Sequence, residues 1–360
     1  MNQPSAGPRP PMFYVTLVMT AFFACFALWG ILCMVGLPQF ASLLGVGNAF
    51  NTSGWALALL LAVARFRGWN DADFPIELVL PLLMVAVGDW EGIVYKIHTP
   101  TVDELLFAFD KIYGYPEFLL GRMFYGARPV LWLGKAVYFA LMLPIVVVHV
   151  ALKDNKLRIR LWSAVALMGV LGVIFYYVCP AAGPIYVFKN YPQMPVVTAP
   201  AARMIPHLVP NCTPSVHLAM ALLALFFAWR CARWCRNFGL AFLGATVLVT
   251  LGLGEHYVID LVLGVPFAVA IEGMTYREGR RRAYACFLLV LAWEIALDKG
   301  WALRLPAPAA LLLSCLTVAA PLAGMARVPR RSAGGAEEAR REEENATRDR
   351  CETVESGLQI

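Results

Sequence analysis

The chain has 360 residues, 60% of them hydrophobic and only 15% charged, with a mean hydropathy of +0.64 and a formal net charge of +6. Soluble chains run at roughly 45–50% apolar and about a quarter charged, so a water-soluble domain does not fit. A disordered chain and a disulfide-rich miniprotein are excluded, and several crossing helices of ~20 residues each are implied.

Apolar stretches of spanning length lie at 13–36, 43–64, 75–96, 129–152, 159–179, 214–229, 237–254, 257–275, 283–298 and 306–326. They predict an all-α polytopic bundle of about ten spans, with both termini cytoplasmic. The basic residues cluster at Arg65 and Arg67, at Lys153 to Arg160, at Arg230 to Arg236 and at Arg277 to Arg282. Such clusters mark cytoplasmic loops, so no nucleic-acid partner is needed to explain the charge. Asp89 and Glu91, at the outer end of the third span, read as solvated carboxylates. In the outer loop 97–128, Leu105, Phe107, Leu119, Leu120, Met123 and Phe124 recur at helical spacing in pieces too short to cross. They predict short amphipathic helices lying at the interface. A second outer loop, 180–213, is rich in Pro, Ala and polar groups. The segment 327–360 is charged and nearly free of large apolar residues, which predicts a disordered tail.

Nine cysteines are scattered along the chain. Cys231 and Cys235 have neither redox nor zinc spacing. Cys179 and Cys212 flank the outer loop, and both a disulfide and two unlinked buried thiols fit them. No metal ligand set and no cofactor motif is visible.

Two of the five histidines open predicted spans. His217 stands in Thr213-Pro214-Ser215-Val216-His217 and His256 in Glu255-His256-Tyr257-Val258-Ile259-Asp260. One span separates the two helices, so both run the same way and the two imidazoles lie at one membrane depth. Thr213 suits an N-cap and Pro214 the first helical position. The free N–H groups behind them favour an anion such as phosphate. Asp260, four residues after His256, falls on the same helix face. It can accept the imidazole N–H and leave the other ring nitrogen as a nucleophile, while His217 can act as general acid toward a leaving alkoxide. A structural strut would use the same His–Asp pair. Ionisable groups inside spans are costly, however, and default to function.

Pro214-Ser215-Val216-His217 and His256-x-x-x-Asp260 resemble two signature elements of the type 2 phosphatidic acid phosphatase superfamily. The His256-Tyr257-x-x-Asp260 form, followed by Gly264, resembles the inositol phosphotransferase branch, which includes inositol phosphorylceramide synthases. The resemblance covers roughly 95–275. It implies an active site on the extracytoplasmic side acting on a phospholipid or sphingolipid. It further implies that His256 attacks phosphorus, Asp260 holds it, His217 protonates the leaving group and Ser215 touches a phosphate oxygen, without a metal. The chain then divides into accessory spans 1–98, a catalytic membrane domain 99–275, accessory spans 276–326 and the tail 327–360.

Two departures stand out. The superfamily's arginine six positions before the second histidine is Thr250 here. Its lysine-x6-arginine-proline element keeps only Arg128-Pro129, with Gly121 in the lysine's place. The charge that meets phosphate must come from elsewhere, and Arg128, Lys189 and Arg203 are the outside candidates. Two other classes stay open on the sequence alone: a transporter using the His and Asp groups as a polar relay, and a non-catalytic relative.

Overall fold

A computed structural model describes residues 100–204 and 210–326. The predicted spans 13–36, 43–64 and 75–96, Asp89 and Glu91, and the tail lie outside the described residues. The chain divides into two compact units, Met1–Pro321 and Leu322–Ile360, and the candidate site lies wholly in the first.

The described residues are helical, and the one β contact among them is an isolated bridge between Thr101 and Arg203. Two short helices come first, α1 (Asp103–Asp110) and α2 (Pro116–Gly126). After them come α3 (Arg128–Phe139), α4 (Leu143–Ala151), α5 (Asn155–Val178), α6 (Val216–Ala228), α7 (Arg233–Gly252), α8 (Val258–Met274), α9 (Arg280–Asp298) and α10 (Ala307–Ala326). Three of them, α5, α7 and α10, are long and apolar enough to cross a membrane, and a fourth crossing results if α3 and α4 count as one. Each predicted span from 129 onward coincides with a helix or, in the first case, with a pair. The span 129–152 is broken, its halves bent by 53°. Pro144 explains the break, because it has no N–H to donate and its ring crowds the carbonyl four residues back, at Ala140.

The outward faces of these helices are apolar. Leu133, Val170, Leu248, Leu288, Leu312 and Leu316 are all exposed. A soluble protein would rarely show such a surface, whereas hydrocarbon is its ordinary solvent.

Helix α6 is apolar on every side, which suits a helix enclosed by others. It packs against α4, α5, α7 and α8. Small residues set how closely these helices approach. A Cβ on Gly264 would lie 3.0 Å from the Ser215 carbonyl oxygen and 3.3 Å from Leu218 Cβ, so α8 rests directly on the start of α6. At the far end of α8, Glu272 accepts from Arg282 (2.9 Å) and Tyr276 (3.1 Å) and pairs with Arg160 at 3.7 Å. Two arginines read from sequence as orientation markers therefore also clamp α5, α8 and α9 together.

Helix α1 does not float at an interface as expected. Nearly all of α1 is buried, and its Leu105, Leu106, Phe107 and Phe109 form a second apolar core with Cys179, Cys212, Tyr257, Ile259 and Trp293. Phe118 of α2 joins this core, while Leu119 and Met123 stay exposed. Of the apolar stripe read as lipid-facing, Leu105, Phe107 and Phe124 meet protein instead, and Leu119 and Met123 do not. The candidate site lies where this second core meets the main one.

The Gly264 contact gives a direct test. Gly264→Val should destabilise the protein in detergent by about 1–3 kcal/mol, the usual cost of overpacking, and lower its melting temperature. Gly244→Ala, where a Cβ would meet nothing within 4 Å, should leave the melting temperature unchanged or raise it.

Candidate active site

Helix α6 leaves the site, α7 returns and α8 leaves again, so the starts of α6 and α8 lie side by side. The rings of His217 and His256 stand edge to face with centroids 5.7 Å apart. The sequence placed these residues at one depth, and the structure brings them together.

Thr213 does not cap α6. Its hydroxyl donates to Asp260 Oδ1, the peptide to Pro214 is cis, and the helix begins only at Val216. The cap passes to Ser215, whose hydroxyl oxygen accepts from Leu218 N–H at 3.3 Å. With its oxygen so occupied, Ser215 still has a proton to donate.

Asp260 also differs from expectation. Its Oδ2 lies 3.6 Å from His256 Nδ1, beyond a good hydrogen bond. The Cys212 sulfur sits between them, 2.6 Å from Asp260 Oδ2 and 3.4 Å from His256 Nδ1. Oδ2 also accepts Tyr257 N–H at 2.7 Å, as an acid at the third helical position commonly does. Asp260 thus ties Cys212 and Thr213 to the start of α8, and the Ser215 N–H to Asp260 carbonyl bond (3.1 Å) adds a second tie. Cys212 and Cys179 are both free thiols, so the disulfide alternative does not hold. Burial and the Asp260 carboxylate push the Cys212 thiol well above its ordinary range, and it is a proton donor at neutral pH.

The first N–H groups of α8 are not open to an anion. Asp110 accepts Val258 N–H at 2.5 Å and Ile259 N–H at 3.2 Å, satisfying groups that every helix start leaves bare. Asp103, one helical repeat earlier on α1, accepts from Gly183 N–H (2.9 Å), Ala182 N–H and the Tyr257 hydroxyl (3.1 Å). Burial raises its carboxyl to about 6 against these bonds. The two aspartates were missed in the sequence, although their seven-residue spacing on an apolar helix places both on one face.

Glu255, directly before His256, receives hydroxyl hydrogen bonds from Tyr186 (2.9 Å) and Tyr138 (3.3 Å). Tyr138 also stacks on His217, ring centroids 4.0 Å apart. Burial raises the Glu255 carboxyl, while the two tyrosines, His256 and Lys135 hold it down. Lys135, one turn before Tyr138 on α3, is the cation in that group, and its ammonium stands over the Trp132 ring at 5.7 Å.

The three cations expected to face phosphate fare differently. Arg203 pairs with Glu104 at 2.7 Å, and its backbone bridges Thr101. Arg128 begins α3 and Lys189 lies in the loop after Gly183, both exposed and neither in a recorded contact with the histidines.

Residues 111–274 match the PAP2 superfamily. The match falls inside the 95–275 stretch marked by the two histidine motifs and covers under half of the chain. Members of that superfamily are phosphatases and phosphoryl transferases. No curated protein and no solved structure gives a significant match.

Glu117 provides a test of the acidic layer beneath the site. It is 0% exposed, and neither carboxyl oxygen has a hydrogen-bond partner among the described residues. Its carboxyl is raised to about 7, chiefly by burial and then by the Asp260 charge. The ordinary carboxyl ionises near 4.5, so between that pH and about 7 the folded state keeps a proton that the unfolded state has lost. Stability should therefore fall as pH rises through this window and level off above it. Glu117→Gln should flatten that part of the melting-temperature profile and melt higher than the parent above pH 7. An equally steep fall in the variant would assign the slope to another group.

Proposed function

We propose that the chain is an integral membrane enzyme that moves the phosphoryl group of a lipid phosphate ester by way of a phosphohistidine on His256. One observation carries this reading. His256 turns Nδ1 toward Cys212 and Asp260, and its Nε2 makes no hydrogen bond among the described residues. Its ring stands edge to face with that of His217, centroids 5.7 Å apart, and among the described residues His217 has no hydrogen bond on either ring nitrogen.

Nε2 of His256 attacks phosphorus as the bond to the lipid alkoxide breaks. Protonated His217 gives its proton to that alkoxide. Neutral His217 then takes a proton from water or an alcohol, which attacks the phosphohistidine and frees His256. Asp260 acts on His256 through Cys212 rather than directly. Lys135, the Ser215 hydroxyl proton and the bare N–H groups of Val216 and His217 would neutralise the phosphoryl oxygens. Arg128 and Lys189 would meet lipid headgroups, and Arg203 anchors the outer loop to α1.

The finer features are part of the same proposal: about ten spans, cytoplasmic termini and a site on the extracytoplasmic side. The resemblance to inositol phosphotransferases favours an alcohol as acceptor. Release of free phosphate from phosphatidic acid, with no new lipid from phosphatidylinositol plus ceramide, would decide for water instead.

The roles of the two histidines separate by leaving group. His256→Ala should abolish turnover and trapping of labelled phosphate on the protein. His217→Ala should lose about 10²–10⁴-fold on a lipid phosphate, the usual share of general acid catalysis, and far less on a nitrophenyl phosphate, whose leaving group needs no proton. Lys135→Met should weaken both substrates alike. Equal losses for His217→Ala on the two substrates, or phosphate trapped on His217, would overturn the assignment.

A further inference from the structure

The Cys212 thiol has chemistry that phosphoryl transfer leaves unused. Its sulfur, His256 Nδ1 and Asp260 Oδ2 form a triangle with sides of 2.6, 3.4 and 3.6 Å, and all three side chains are buried. We propose that Cys212, His256 and Asp260 form a binding site for a thiophilic divalent cation of the zinc class, and that its occupancy switches phosphoryl transfer off. The switch rests on the function proposed above; the binding site does not.

Geometry supports the site first. A tetrahedral ion with bonds of roughly 2.0–2.3 Å separates its ligand atoms by about 3.3–3.8 Å. Two sides of the triangle already have that length. The third is short because the thiol donates its proton to the carboxylate, and an ion that displaces this proton lets sulfur and oxygen part to either side of it. Little else has to move. Cys212 is held by its N–H on the Ala181 carbonyl at 2.9 Å, and Asp260 by Tyr257 N–H and the Thr213 hydroxyl.

Charge supports it next. On binding, Cys212 releases one proton to solvent, because the ion takes the thiolate. A thiolate, a carboxylate and a divalent cation sum to zero, which suits a buried place where an unbalanced charge is costly. The sulfur ligand selects zinc, cadmium or cobalt over magnesium and calcium, which prefer oxygen.

Inhibition follows from the imidazole. A neutral ring has one protonated and one bare nitrogen. An ion on Nδ1 takes the bare position, so the proton must sit on Nε2. That is the nitrogen whose lone pair would attack phosphorus.

The test uses the full chain purified in detergent and titrated with Co²⁺ alone. One equivalent should produce thiolate-to-cobalt charge-transfer absorption, which Zn²⁺ then displaces. Cys212→Ser keeps a hydroxyl that can donate to Asp260, so the fold should survive. That variant should lose the band and bind Zn²⁺ more weakly by at least the roughly 10- to 100-fold that follows loss of a group merely supporting a ligand. The double variant Cys231→Ser/Cys235→Ser should keep the band. No band at all, or a band that survives Cys212→Ser and vanishes in the double variant, would overturn the site. In parallel, Zn²⁺ should suppress labelled phosphohistidine in the parent protein, and a chelator should restore it. Binding through Cys212 without suppression would overturn the switch. A Cys212-dependent band in a protein that forms no phosphohistidine under any condition would uphold the ion site and defeat the function proposed above.

Discussion

The carboxylate of Asp260 is the constraint on which the rest of the site depends. It accepts from Thr213, Cys212 and the Tyr257 N–H at once, and its own carbonyl accepts from Ser215. Two segments more than forty residues apart in the chain are thereby held in one register. A buried anion with three donors is costly to form and costlier to leave partly satisfied. Any rearrangement that separated the starts of α6 and α8 would strip it of partners. The distance between the two histidines is thus a consequence of satisfying one aspartate.

Around that point the protein places more acid than an apolar interior normally tolerates. Asp103 and Asp110 meet backbone N–H groups of the 180–183 loop and of α8, where the exposed donors of loop and helix start compensate the charge. The helix that carries them is buried and forms part of the second core. Glu117 has no such donor, and burial is answered there by holding the proton. Asp110 takes up the first N–H groups of α8, whereas those of Val216 and His217 at the start of α6 make no hydrogen bond among the described residues.

The two positions where the resembled superfamily carries a cation hold Gly121 and Thr250 here. Lys135 stands on the half of the broken α3–α4 pair that leads to Tyr138, His217 and Glu255. The stacking of Tyr138 on His217 brings that stretch to the histidines, and this no motif could reveal. Arg203 is paired by a similarly distant contact: its partner Glu104, about a hundred residues earlier, meets it at 2.7 Å.

Composition and hydropathy alone determined that the chain is helical and suited to a membrane, because hydrocarbon leaves few other ways to satisfy a backbone. Spacing alone determined that His217 and His256 open parallel helices, since one intervening helix fixes their direction. Spacing suggested the role of Asp260 and the family resemblance that of Ser215, and neither could say which atoms they would touch. The tertiary structure decided that Ser215 and not Thr213 caps α6, that a thiol stands between His256 and Asp260, and that α1 is core and not interface. Each of those outcomes depends on contacts between residues tens to more than a hundred positions apart. Local pattern records which face of a helix is apolar; it does not record whether lipid or another helix will cover it.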